Sequence, residues 1–151
     1  MKTLIVYYSY HHKNTKLLVH ALKSNDEFIE LLDLLKNKNP DIDLSNYDRI
    51  GFASGIYFSS FGKPILEFID KSLPENKDIF LIYTHGAPLK RVLLFNIKKL
   101  LKAKHSHILG IYHCRGYDTY VFKKLGGIAK GHPNQKDIDK CLKFYNKIKN
   151  I

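Results

Sequence analysis

The sequence predicts an open α/β sheet: five parallel strands, doubly wound, with helices on both faces. Three observations carry this. Short apolar runs alternate with segments of helical periodicity along the whole chain of 151 residues. The first, fourth and fifth of these runs are continuously apolar, the mark of parallel strands covered on both sides. No repeat, low-complexity stretch or linker interrupts the alternation, so right-handed crossovers can lay all the strands into one sheet within a single domain over residues 1–151.

The elements follow in order. Thr3 to Tyr8 is apolar and β-favouring, and gives the first strand. Leu17, Leu18, Ala21 and Leu22 then repeat at helical spacing. Phe28 to Leu34 reads as the second strand, and the polar stretch Asn37 to Asp48, with Pro40, as a loop or a degenerate crossover. Arg49 to Ile56 is the third strand. Pro64 suits the first turn of a helix carrying Ile65, Leu66, Ile69 and Leu73. Ile79 to Thr84 is the fourth strand. Pro88 opens a helix with Leu93, Ile97, Leu100 and Leu101 on one face, and Ile108 to His113 is the fifth strand. A long loop from Cys114 to Pro133 leads to a last helix. Asn134 is its expected N-cap, Asp137 suits its first turn, and Ile138, Cys141, Leu142, Tyr145 and Ile148 form its buried stripe.

Composition narrows the function. Two cysteines, Cys114 and Cys141, make no disulfide framework and suit two reduced thiols in a cytoplasmic setting. The apolar run near Met1 is too short for a signal segment, and no stretch reaches the roughly 20 residues of a membrane span, so no membrane insertion is expected. The net charge of +11 is uneven: residues 1–75 hold 9 basic and 10 acidic residues, residues 76–151 hold 16 and 4. A basic half attracts acidic proteins, anionic lipid or nucleic acid. Only Arg49, Arg91 and Arg115 are arginines, however, which argues against base or phosphate reading in nucleic acid. Most of the lysines fall on the polar faces of expected helices.

In an open α/β sheet the ligand sits beyond the carboxyl ends of the strands. Four segments lie there. In Ser9-Tyr10-His11-His12-Lys13-Asn14-Thr15 a strand runs into a helix start. Hydroxyls, an amide, imidazoles and a lysine stand beside unpaired backbone N–H groups, the makings of a phosphate cradle; an ordinary capped helix start would use the same residues. Ser54-Gly55-Ile56-Tyr57-Phe58-Ser59-Ser60-Phe61-Gly62 combines small residues with the flat apolar rings of Tyr57, Phe58 and Phe61, which would border a planar ligand or pack a loop onto the core. Thr84-His85-Gly86-Ala87-Pro88 is a strand end of small and polar groups, equally consistent with a simple turn. Cys114-Arg115-Gly116-Tyr117-Asp118-Thr119-Tyr120, followed later by Lys130-Gly131-His132-Pro133-Asn134, places a tyrosine after a glycine, suited to a ring laid over a ligand, while Cys114 by itself reads as a small buried apolar residue and His132 as the residue that fixes the turn before the last helix. No catalytic triad and no metal-ligand spacing is found; adjacent His11 and His12 would point in different directions.

Together the segments resemble the flavodoxin family along essentially the whole chain. Ile5-Val6-Tyr7-Tyr8-Ser9, with Asn14-Thr15, is similar to its phosphate-loop signature, and Ser54-Gly55-Ile56-Tyr57-Phe58 and the tail from Gly126-Gly127 to Asn134 are similar to a short-chain branch. The resemblance implies the strand order 2-1-3-4-5 and FMN as cofactor. Ser9, His11, His12, Lys13, Asn14 and Thr15 would hold the FMN phosphate. Gly55, Ile56 and Tyr57 would border the ring, Thr84, His85 and Gly86 would line its ribityl side, and Cys114, Gly116 and Tyr117 would form the other wall, with Tyr117 stacking. The chain departs from the pattern at three points: one extra residue between Ser9 and Thr15, Lys13 where glycine is usual, and a basic rather than acidic surface. The implied function is electron transfer between redox partner proteins, acidic ones given the charge. The lysines predict a less negative flavin potential than acidic family members show. A second reading is an FMN-dependent oxidoreductase acting on a small acceptor such as a quinone or porphyrinogen, and a third is a nucleic-acid-binding module without flavin.

Overall fold

The computed structural model describes residues 1–86, 94–120 and 122–151. Its parallel strands are β1 (Thr3–Tyr8), β2 (Ile29–Asp33), β3 (Arg49–Tyr57), β5 (Asp78–His85) and β6 (His107–Arg115), and its helices are α1 (Asn14–Asn25), α2 (Lys63–Ser72), α3 (Phe95–Ala103) and α4 (Gln135–Lys149). The parallel strands lie in the order β2-β1-β3-β5-β6, the order expected for the five predicted strands. A short antiparallel strand, β4 (Ser60–Phe61), pairs with the end of β3, Ile56 opposite Phe61 and Tyr57 opposite Ser60.

Alternate strand residues feed two cores. Leu4, Val6, Ile50, Phe52, Ile79 and Leu81 face α2 and α3. Ile5, Ala53, Phe80 and Ile82 face α1 and α4 through Leu18, Leu22, Cys141 and Tyr145. The central strands are thus buried on both sides, which is why they need no polar alternation. Phe80 lies across Gly51, where any Cβ would enter its ring, so that helix-side layer packs directly onto backbone.

Four expectations are corrected. The fifth strand, expected to be covered on both faces, is only partly covered over most of β6, which stands at the sheet edge where the expected order puts it. The segment expected as an open loop after β3 turns back as a hairpin. Its turn residues Phe58 and Ser59 have φ of 49° and 62°, the mirror-image turn geometry of two-residue hairpins, built here without the usual glycine or asparagine. Leu17 sits on the exposed side of α1 and Val19 takes the buried position. The Cys114–Pro133 segment is not featureless: β6 runs through Arg115, Asp118 pairs with Ile128, and Lys123–Leu125 form a 3-10 turn. Pro88 and Leu93, placed on the helix before β6, lie outside the described residues, as does Ala87.

The helix ends bear on the site. Asn134 caps α4 through a full capping box with Asp137, and Asp137 Oδ2 also lies 2.7 Å from His132 Nδ1. Pro64 lies in the first turn of α2 as expected. α1 is different: Lys13 stands at its N-cap with φ 54° and no side-chain cap, directly after His12 at φ 50°. At the far end of the molecule, Asp26 closes α1 against α4 by accepting from Lys149 Nζ at 2.6 Å and from the Tyr145 hydroxyl.

Candidate functional site

The carboxyl ends of β1, β3, β5 and β6 bring the four predicted segments to one end of the sheet. The loop from Ser9 to Lys13 enters α1 through two consecutive left-handed residues. Each such non-glycine position costs about 1 kcal/mol, so tertiary contacts must hold it. They do so on both sides. His11 lies against the Tyr57 ring at 5.9 Å and His12 against the Tyr117 ring at 4.5 Å, and His12 Nε2 is 2.9 Å from Thr119 Oγ1. The adjacent histidines therefore diverge, one to each aromatic wall.

The polar side chains of the loop are partly committed to building it. Ser9 Oγ accepts from the Lys16 amide at 3.2 Å, which satisfies one first-turn N–H of α1. Buried Thr15 Oγ1 lies 3.0 Å from Thr84 Oγ1 and joins α1 to β5. Asn14 Nδ2 donates to the Tyr117 carbonyl at 2.8 Å and joins α1 to the segment after β6. The amides of Asn14 and Thr15, in the first helical turn, have no carbonyl four residues back within the helix. Lys13, His11 and His12 are exposed.

Two glycines allow this closeness. A Cβ on Gly116 would come within 2.7 Å of Asn14 Nδ2 and 3.1 Å of Thr84 Cβ, and a Cβ on Gly86 would collide with Asp118. Gly55 is covered by Tyr57, whose hydroxyl would stand 2.8 Å from a Cβ there. The same hydroxyl accepts from the Tyr10 amide at 3.0 Å and is also hydrogen-bonded by the His11 backbone. Burial raises the Tyr57 pKa, so the phenol stays neutral and remains a hydrogen-bonding group. Ile56, half-buried, packs on the α2-side core rather than standing free.

The opposite wall is Tyr117. Its amide donates to the His132 carbonyl at 2.9 Å and its hydroxyl to the Gly126 carbonyl at 3.0 Å, so the ring is held at both ends. Cys114 is buried under α4, and burial pushes its thiol up to about 12, so it stays protonated and packs as a small apolar residue.

His85 lies on the other face of β5 from Thr84, next to Tyr83. Its Nε2 is 3.3 Å from His113 Nδ1, and the His113 ring stacks on Tyr83 at 5.1 Å. Partial desolvation, then the charge of His85, lowers the His113 pKa. Sequence reading assigned His113 no place at the site, and assigned Asp118 and Thr119 no role although they lie in the fourth segment. The first could be read from strand alternation, since Tyr83 and His113 share a register position; the other two depend on loop folding and carry no periodic signal. Among the described residues, no three His, Cys, Asp or Glu side chains gather as a metal site. No helix among them is long and apolar enough to cross a membrane.

No protein-family model matches the sequence. The chain is 43% identical over 150 residues to the uncharacterized protein MJ0298 of Methanocaldococcus jannaschii, covering 98% of both chains. Among solved structures it resembles oxidised flavodoxin 1 from Bacillus cereus, with a TM-score of 0.70 at 16% identity over 99% of this chain and 98% of that one. It also resembles the Fusobacterium nucleatum flavodoxin bound to flavin mononucleotide, with a TM-score of 0.65 at 10% identity over 99% and 98%. The fold is flavodoxin-like.

Proposed function

The chain belongs to one family with the uncharacterized protein MJ0298, on a flavodoxin-like fold, and we propose that it is an FMN-binding electron-transfer protein. The observation that carries this reading is the loop 9–13, held between the Tyr57 and Tyr117 walls at the start of α1. The groups present fit the cofactor. First-turn amides, hydroxyls and the cationic Lys13 suit a phosphate, and Gly116 lets the segment after β6 close onto Asn14 at the start of α1. The similarity to a flavodoxin bound to flavin mononucleotide supports the same cofactor.

In this reading Ser9, His11, His12, Lys13, Asn14 and Thr15 hold the phosphate, mainly through backbone N–H groups and the exposed cations. Gly55 and Tyr57 border the ring on one side and Gly116 and Tyr117 on the other, while Thr84 and Gly86 line the stretch between; the side chains of Ile56 and Cys114, turned into the cores, and of His85, on the other face of β5, take no part. FMN, when bound, supplies the redox chemistry. The protein orients the ring through Tyr57 and Tyr117, whose hydroxyls are each tied to backbone. The lysines nearby favour an anionic reduced ring and so a less negative potential. The protein works in the cytoplasm, where both cysteines stay free thiols.

The test is a stopped-flow comparison. Photoreduced, FMN-loaded protein should pass electrons directly to an acidic ferredoxin and should not turn over menadione with NADPH. Rapid NADPH-dependent reduction of menadione without any protein partner would replace the carrier reading with that of a reductase.

A further inference from the structure

Beyond the site itself, the chain presents an unusual rim. Phe58, at the tip of the β3–β4 hairpin, is 93% exposed, Tyr120 78% and Leu125 81%, and Phe122 is exposed as well. These residues are not scattered. Phe58 and Tyr120 meet edge to face with centroids 6.4 Å apart, bridging the hairpin and the loop after β6. The turn carrying Phe122 and Leu125 follows in the same loop and is fixed to Tyr117: Leu125 and Gly127 amides donate to the Phe122 carbonyl, and the Gly126 carbonyl accepts from the Tyr117 hydroxyl. A paired exposed aromatic surface, with further exposed apolar residues in the same loop, marks an interaction site.

Its surroundings are charged with one sign. Segments 9–16, 57–63 and 114–134, which frame the strand ends, hold seven Lys or Arg and a single acid, Asp118. That acid is turned inward, accepting from the Tyr120 amide at 2.8 Å and packing on Gly86. Lys123 and Lys124 stand exposed in the turn between Phe122 and Leu125, and Lys130 is exposed further along the same loop.

We infer that this face, centred on the Phe58–Tyr120 pair and flanked by Lys123 and Lys124, is the docking surface for a small acidic electron-transfer protein. The inference rests on the carrier reading above and gives it a partner class and an address. Charge selects the occupant. A second copy of this chain carries the same +11 and is repelled. A bilayer over this face would cover the strand ends and shut a soluble partner away from them. An acidic protein satisfies the lysines, buries the exposed rings and brings its own redox centre to the ring edge, as electrostatically steered transient complexes do.

The test uses the full chain, 15N-labelled, with and without FMN. The probe is a zinc-substituted rubredoxin of net negative charge, with a basic cytochrome c as control. The acidic probe should shift amides of Phe58, Tyr120 and residues 122–125, with affinity falling steeply as salt rises. K123E/K124E and F58A/L125A should each weaken binding at least tenfold while the rest of the spectrum stays unchanged. Shifts that are absent, shifts elsewhere on the surface, or equal binding by both variants would overturn the inference. So would binding to phosphatidylglycerol vesicles but not to the rubredoxin. Docking by a chain that ignores FMN would keep the surface and remove the carrier reading, whereas tight FMN binding without docking would do the reverse.

Discussion

The side-chain amide of Asn14 donates to the backbone carbonyl of Tyr117 over 2.8 Å, tying the first turn of α1 to the loop after β6 across 103 residues of sequence. Gly116 makes that bond possible, because a Cβ would stand 2.7 Å from the donor nitrogen. Gly116→Ala should therefore push the two segments apart. The expected cost is about 1–3 kcal/mol of stability, as for other overpacked sites, with at least a tenfold loss of FMN affinity. Denaturant melts and FMN titration of the variant check both.

Lys13 occupies a left-handed position, φ 54°, that glycine adopts without strain. Lys13→Gly should stabilise the fold by about 0.5–1 kcal/mol. A melt showing no gain would mean that the Lys13 side chain makes a contact that offsets the relief.

Asp26 is buried where α1 ends against α4. Burial alone would raise its pKa, but hydrogen bonds from Lys149, the Phe28 amide and Tyr145 hold it below the usual carboxylate value. A depressed folded pKa adds stability that is present above the ordinary value and is lost as the pH falls through the folded one. Asp26→Asn should cost about 2 kcal/mol at neutral pH, less than a fully buried pair because Lys149 is half exposed. The variant should also lose part of the acid sensitivity below pH about 4.

A second pH window belongs to histidine. His113 is held below its ordinary value by desolvation and then by His85, and His20 by burial and then by Lys16. The folded chain thus resists protons that the unfolded chain accepts. Stability should be level above pH about 7 and should fall as the pH drops below about 6.5. His113→Asn should flatten part of that slope, read from thermal melts between those values and pH about 5.

How far the sequence could be read depended on which forces shape each part. The parallel strands were legible because burial on both faces leaves continuous apolar runs, as in Ile79 to Thr84. The capped start of α4 was legible because Asn134 and Asp137 are local signals. The β3–β4 hairpin was not, since Phe58 and Ser59 take left-handed angles that their residue types do not announce. The partial covering of β6 was hidden by its apolar composition, although the order implied by the family resemblance already put that strand at the edge. At the strand ends, the rule picked segments that the fold brings to one end of the sheet, and the divergence of His11 and His12 was expected. The partners Thr119 and Asp118 come from the folding of the 114–133 loop and leave no mark in local spacing.

The central claim is tested most directly by titrating the purified, flavin-stripped protein with FMN while following absorbance and flavin fluorescence. The account predicts one-to-one binding with strong fluorescence quenching, as the ring comes to lie against Tyr57 and Tyr117. Fluorescence that stays at the level of free FMN across the titration would contradict it.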